Sequence, residues 1–418
     1  MISRSNISPS ALKVLYRLKD EGYQAYLVGG GVRDLLLGRQ PKDFDIATDA
    51  SPENIKKIFR NCRLVGRRFR LAHIWFGREV IEVATFRAPP TEASDDHQEQ
   101  NNGRILRDNV YGTMEEDAWR RDFTANALYY NIKDFSVVDY TGGLVDLNNG
   151  ELKLIGDPER RYREDPVRML RAVRLSVKLG FRLPPETEAP IYDLGHLLED
   201  IPPARLFEEV LKLFLGGAAL QTFESLRHYN LFGYLFQRTD QLLAVESEGF
   251  PKQFLTQAFV NTDLRLSEGK TVNPAFIFAA ILWDPLQQIS KDLKAQGMEE
   301  VDAMQAASME VLKPHILNIS IPKRFGIPMR EIWHLQSRLM KNSGRRTLRV
   351  LSHPRFRAAY DFLLLRAQAG EDVGEVGDWW TRFQEMTDEQ REKALNSGKP
   401  KGKKRSCSKR RRVRSTDD

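Results

Sequence analysis

Apolar and polar positions change rhythm once along this chain. Up to about residue 146, short alternating runs are interleaved with short helical stripes. After Gly156 helical spacing dominates to Ala369, and no alternation of comparable length returns. The first stripe, Leu12, Leu15 and Leu18, is introduced by Ser8-Pro9 and closed by Gly22, which predicts a capped helix. A strand at 24–28 follows, then glycines 29 to 31, a short helix over 32–37 stopped by Gly38, and a strand over 43–47. Residues 51–59 read as another capped helix, and 71–76 and 80–86 alternate as strands do. Residues 88–107 are polar, carry Gly and Pro, and show no period, which predicts a mobile surface loop. The pattern is that of an α/β head followed by an all-helical body.

Charge changes this picture at one end. The chain of 418 residues carries a net +7, yet ten Lys/Arg against two Asp lie between 399 and 418. That tail holds +8 and leaves −1 for everything before it. A run of like charge whose one large apolar residue is Val413 cannot bury a core, so it reads as a disordered polyanion-binding arm or a solubilising tail. Two cysteines, Cys62 and Cys407, make neither a disulfide framework nor a zinc site and fit a reducing, cytoplasmic setting. No run approaches the ~20 apolar residues of a membrane span.

Chemistry concentrates in three places. Leu27-Val-Gly-Gly-Gly-Val-Arg-Asp34 sets a glycine turn between a strand and a helix. Backbone N–H groups at Gly29 and Gly30 can approach a phosphate there, with Arg33 one turn in. Asp43 and Asp45 follow, two apart on the expected strand, with Phe44 facing the core between them. Two adjacent hard oxygen donors suit Mg²⁺, which takes carboxylates together with phosphate oxygens. Such ions activate an attacking hydroxyl and stabilise a leaving pyrophosphate. A third carboxylate would complete the site. Glu82, in an alternating strand, and Asp122, in Arg120-Arg-Asp-Phe-Thr124, both qualify on the residues alone.

The third place is Tyr162-Arg-Glu-Asp-Pro-Val-Arg-Met-Leu-Arg-Ala-Val-Arg174. Asp165 precedes a helix opened by Pro166, where it can cap. Asp165 and Arg168 can also read a nucleobase edge. An acceptor beside a donor matches the amino group and ring nitrogen of adenine or cytosine and rejects uracil and guanine. Arg168, Arg171 and Arg174 share a helix face, either as a salt-bridged stripe or as RNA contacts. Seven Lys/Arg and no acid lie between Lys56 and Arg70, and Arg67, Arg68 and Arg70 are candidate contacts to an RNA backbone. Tyr129-Tyr130 and Trp379-Trp380 are either packing residues or platforms for stacked bases.

The glycine motif 27–34, Asp43/Asp45, Arg120-Arg-Asp-Phe-Thr124 and Glu164-Asp-Pro-Val-Arg168, in this order and spacing, resemble the class II polymerase-β-like nucleotidyltransferases. These are the tRNA CCA-adding enzymes and the bacterial poly(A) polymerases. The resemblance implies a polymerase-β-like head with an all-α neck and body. It implies Mg²⁺ on Asp43 and Asp45 and chooses Asp122 over Glu82 as the third active-site acid. It implies triphosphate binding by Gly30, Arg33 and Arg121, and base binding by Asp165 and Arg168. Segments 61–73, 201–209 and 353–361, with the basic tail, are similar to the poly(A) polymerase branch.

The expected organisation is a catalytic head over 1–150, a helical neck over 151–235, an RNA-binding body over 236–390 and a basic tail over 391–418. The expected activity is template-independent addition of AMP from ATP to RNA 3′ ends by a monomer, with RNA-decay proteins as partners of the tail. CCA addition to tRNA shares the chemistry and differs in substrate. A silent RNA-binding protein would use the same basic surfaces but would not need Asp43, Asp45 and Asp122. A small-molecule nucleotidyltransferase would not need the basic tail.

Overall fold

The computed structural model describes residues 2–66, 70–88, 110–244, 253–344 and 346–397. They fall into two compact units. One lies within Met1–Pro251, Phe259–Val272 and Lys313–Ile321, the other within Lys252–Ala258, Asn273–Leu312 and Pro322–Asp418.

The first unit is built on one mixed sheet. Its strands are β1 (Ala25–Val28), β2 (Asp45–Thr48), β3 (Cys62–Val65), β4 (Leu71–Phe76), β5 (Glu79–Thr85), β6 (Leu128–Tyr130) and β7 (Val137–Asp139). They run in the order β3-β4-β5-β2-β1-β6-β7. Only the β2–β5 pair is parallel; the other neighbours are antiparallel. Both faces are covered. On β1, Ala25 and Leu27 enter one core while Tyr26 and Val28 pack with a second cluster around Phe86 and Tyr129. This alternation places successive side chains on opposite faces.

Helix α1 (Pro9–Asp20) forms where the apolar stripe predicts it. The Ser8 hydroxyl accepts the Ala11 N–H at 3.0 Å, Pro9 occupies the first position, and Gly22 takes φ +88° past the end. Its buried face is Ala11, Val14, Leu15 and Leu18. Each of the larger side chains contributes about 1.5–3 kcal/mol on burial. Helices α2 (Gly30–Leu36), α3 (Pro52–Ile58), α4 (Met114–Trp119) and α5 (Gly143–Asn149) complete the head.

Two expectations change. The strand holding the second motif begins at Asp45; Asp43 is exposed in the turn before it, while Phe44 is buried as predicted. Three strands escaped the pattern: β3, inside the basic run, and the three-residue β6 and β7.

Past residue 156 the regular elements are helical, as the periodicity predicts. Helices α6 (Pro158–Glu164), α7 (Val167–Leu179), α8 (Pro185–Leu194), α9 (Pro203–Phe214), α10 (Ala219–His228) and α11 (Phe232–Leu243) follow the head. In the second unit, Trp283 and Phe362 pack edge to face, and the Trp380 indole donates to the Leu339 carbonyl at 2.9 Å. Among the described residues, no helix is long and apolar enough to cross a membrane.

Candidate active site

Register alone assembles the centre of the site. Across five adjacent strands, His73 lies opposite Glu82, Glu82 opposite Asp45, Asp45 opposite Val28, and Val28 opposite Tyr129. Residues paired in this way share a face, so the sheet carries His73, Glu82, Asp45 and Tyr129 in one row. His73 Nε2 is 3.4 Å from Glu82 Oε1. Burial, with Glu82 beside it, pushes the Asp45 carboxyl up to about 6. Arg121 opposes that rise and Asp43 adds to it. A carboxylate raised by burial and by other acids lacks a cation.

A cluster of guanidiniums lies next to it. Arg120 is half-buried beside Arg87, Arg121 and Arg161, and its guanidinium is pushed down to about 10, first by burial and then by those three charges. Arg161 also donates to the Arg120 and Arg121 carbonyls at 2.9 and 2.6 Å, tying α6 to this segment. Arg121 is held by Asp117 at 3.0 Å and by the Tyr129 hydroxyl at 2.9 Å. Acids whose ionisation a cation would favour, beside a cluster of guanidiniums, suit a metal–polyphosphate ligand.

Glycine joins the two. Gly29 has φ +76°, and a Cβ there would sit 3.6 Å from Arg121 Nη1 and 3.9 Å from Asp45 Oδ2. At Gly31 a Cβ would lie 3.3 Å from the Asp43 carbonyl oxygen, so a side chain would press α2 off the turn that carries Asp43. Arg33 is buried beneath the start of α2. Its Nε and Nη2 donate to Asp34 at 2.9 and 2.6 Å, and its Nη1 to Asn126 at 2.6 Å. It therefore braces the glycine turn.

The structure does not bring Asp122 to the carboxylate row. Arg171 of α7 grips its Oδ2 through Nε and Nη2 at 2.9 and 2.5 Å, and Asn126 and the Phe123 N–H donate to Oδ1. Burial alone would raise the Asp122 carboxyl, but Arg171 and these donors hold it at about 2. Glu82 stands beside Asp45 in the sheet register, while Asp122 belongs to a polar chain running Asp34–Arg33–Asn126–Asp122–Arg171. Arg171 is engaged within the fold through Asp122. Arg174 lies beside it, largely buried, with Nε lacking a partner among the described residues.

Asp165 and Arg168 meet at the α6–α7 junction. Asp165 accepts from Arg205 of α9 at 2.6 Å and from the Val167 N–H at 3.3 Å. Arg168 donates to the Arg161 carbonyl at 2.7 Å and to Glu164 at 3.2 Å. Arg205 was not singled out in the sequence, although it stands in the 201–209 segment. Arg87 and Arg161 were also missed; their only signal was cationic residues in otherwise packed surroundings.

Of the basic run, Arg70 pairs with Glu53 at 2.7 Å, and Arg67 and Arg68 lie outside the described residues, as do the tail and most of the 88–107 segment. Tyr129, Tyr130 and Trp380 are fully buried, and Trp379 stacks on Phe383. All four are packing residues.

A sheet presenting paired acids under a glycine turn, with a helical body following, defines a nucleotidyltransferase. Family models match at 25–153 (Poly A polymerase head domain), 180–243 (Probable RNA and SrmB-binding site of polymerase A) and 296–416 (Polymerase A arginine-rich C-terminus). The chain is 50% identical to Poly(A) polymerase I of Salmonella typhi over 401 residues, covering 94% of this chain and 86% of that protein. It belongs to the bacterial poly(A) polymerase family. The CCA-adding enzyme of Lactobacillus helveticus is 39% identical over 215 residues, about half of each chain. The Bacillus stearothermophilus CCA-adding enzyme in complex with CTP shares the fold, with a TM-score of 0.60 at 26% identity, covering 90% of this chain and 82% of that one.

Proposed function

We propose that the protein is a polynucleotide adenylyltransferase that extends RNA 3′ ends from ATP without a template, releasing pyrophosphate. The observation that carries the reading is the juxtaposition, across Gly29, of the Asp45 carboxyl, raised to about 6 by burial and by Glu82, with the Arg121 guanidinium. Family membership supports the substrate. The half-length match to a CCA-adding enzyme does not favour CCA addition.

Asp43 and Asp45 would hold a divalent cation, Mg²⁺ by the hardness of the donors, with Glu82 beside them. Among the described residues no three acid, His or Cys side chains close around one point. Triphosphate oxygens and water would therefore complete the shell, as suits Mg²⁺. Bound there, the cation would acidify the primer 3′-hydroxyl and neutralise charge on the triphosphate. Gly29 and Gly30 let the backbone approach the phosphates, and Arg121 and Arg120 oppose their charge. Arg33 and Asp122 hold these pieces in place. The 3′-oxygen attacks the α-phosphorus as the bond to the β-phosphate breaks, and positioning with charge neutralisation supplies most of the rate.

Asp165, oriented by Arg205, would accept from the adenine amino group while Arg168 donates to the ring nitrogen. The enzyme works as a monomer in the cytoplasm, on RNA involved in processing and decay, with decay proteins as partners of the tail.

Primer extension tests this. With Mg²⁺ and ATP alone, a short unstructured RNA should grow into long ladders, and CTP alone should give little. Addition that halts after two C and one A on a tRNA lacking its 3′ end would overturn the proposal in favour of CCA synthesis.

A further inference from the structure

The second unit holds a basic groove that the chemistry above does not use. It lies between the start of helix Glu300–Asn318, the end of helix Lys323–Leu339 and helix Arg346–Leu351, and encloses about 610 Å³. Arg338, Lys341, Arg346 and Arg349 line it, all exposed. No Asp or Glu is among its lining residues. None of these four side chains has an ion pair or hydrogen bond to a described residue. Glu300 and Asp302, which flank the lining residue Val301, are not themselves in the lining, and Glu331, seven residues before Arg338, is taken by Arg355 at 3.1 Å. Four unpaired cations around one concavity repel one another and focus a positive potential.

Of two histidines in the lining, one adds a donor. His353 accepts the Arg355 N–H at Nδ1, 3.1 Å away, so its proton sits on Nε2. Ser308 already donates to the Gln305 carbonyl at 2.7 Å, so the 3.1 Å contact between Ser308 and His334 is donated by the ring Nε2. Burial, and then Arg330 and Arg338, push His334 down, which keeps it neutral and reports the same positive field. The rest of the lining includes the apolar Met304, Leu335 and Val350. Cations and N–H donors over an apolar floor suit phosphodiesters carrying sugars and bases better than a bare inorganic anion.

We propose that this groove is a second RNA-binding site, in which Arg338, Lys341, Arg346, Arg349 and His353 hold the phosphodiester backbone of the RNA being tailed. It lies outside the 180–243 segment matched as an RNA-binding site. The identity of the ligand rests on the RNA-tailing reading; the charge and shape of the groove do not.

The test uses the full chain with Arg338, Arg346 and Arg349 replaced together by Ala, beside a variant carrying Lys at all three. Binding of a labelled oligoadenylate of about twenty nucleotides is followed by anisotropy over a range of salt. AMP incorporation is measured on the same RNA and on a primer of about four nucleotides. The alanine variant should bind the long RNA at least about tenfold more weakly, and its log–log salt slope should fall by about 2, at roughly 0.7 for each phosphate that is no longer neutralised. KM for the long RNA should rise while KM for ATP and the rate on the short primer hold, and the lysine variant should recover most of the binding. Unchanged affinity and slope would overturn the site. So would binding of polyglutamate but not RNA through these residues, which would make the groove a protein-docking surface. If the wild type binds RNA through the groove yet incorporates no AMP, the site stands and the tailing reading falls.

Discussion

Asp45 shows at single-residue scale how this fold sacrifices stability for chemistry. Its carboxyl is pushed up to about 6 by burial and by Glu82, so ionisation at neutral pH opposes folding. A raised carboxyl pKa favours the folded state at low pH, and that advantage is lost as pH rises from the unfolded value near 4 through about 6. Asp45→Asn should therefore be more stable than the wild type at pH 7 in metal-free buffer, by roughly 2 kcal/mol. The same substitution should abolish AMP incorporation while RNA binding survives. Denaturant titration with a parallel extension assay checks both. Loss of stability in Asp45→Asn would mean that the carboxylate is already compensated within the fold. Added Mg²⁺ should narrow the gap, because a cation on the wild-type site stabilises only the ionised form.

The junction of α7 with the 120–126 segment is where elements constrain one another. Arg171 reaches Asp122 across 49 positions of sequence. The Asp122 carboxyl is held at about 2, so its ionised form stabilises the fold fully above about pH 4, and the contribution fades as pH falls towards 2. Asp122→Asn should cost about 2–3 kcal/mol at pH 7 and roughly half of that near pH 3. A destabilisation independent of pH would show that the ion pair is not its source. Long-range pairs of this kind are what the sequence hides. Helix α1 was legible because its cap, stripe and glycine stop are all local, and Asp43, Asp45 and the glycine turn were legible because they are close in sequence. Strands β6 and β7 were not, because three residues buried or half-buried on both faces leave no alternation to read. That Glu82 stands beside Asp45 follows from β2 pairing in parallel with β5, which no local pattern encodes. Arg205, forty residues from Asp165, was hidden for the same reason.

At the scale of the whole molecule, charge is divided unevenly along the chain. Residues before 399 sum to −1, while the last twenty carry +8. Attraction to a polyanion at a distance must therefore come chiefly from the tail. A chain ending after Ser397 should therefore retain its turnover at saturating RNA and its KM for ATP, because no residue of the carboxylate row or the guanidinium cluster is removed. Its association with RNA should slow and its affinity fall steeply at low salt, where the loss of cations matters most. With ten Lys/Arg removed, the log–log salt slope should fall by up to about 7 if every one meets a phosphate, and by less in proportion to those that do. Stopped-flow association and anisotropy at several salt concentrations separate this from the groove formed by Arg338, Arg346 and Arg349. Tail removal should act mainly on the association rate and groove substitution on dissociation, since net charge steers encounter while a shaped site holds what has arrived. If truncation leaves both rates and the slope unchanged, the tail is a solubilising extension and RNA capture belongs to the folded units alone.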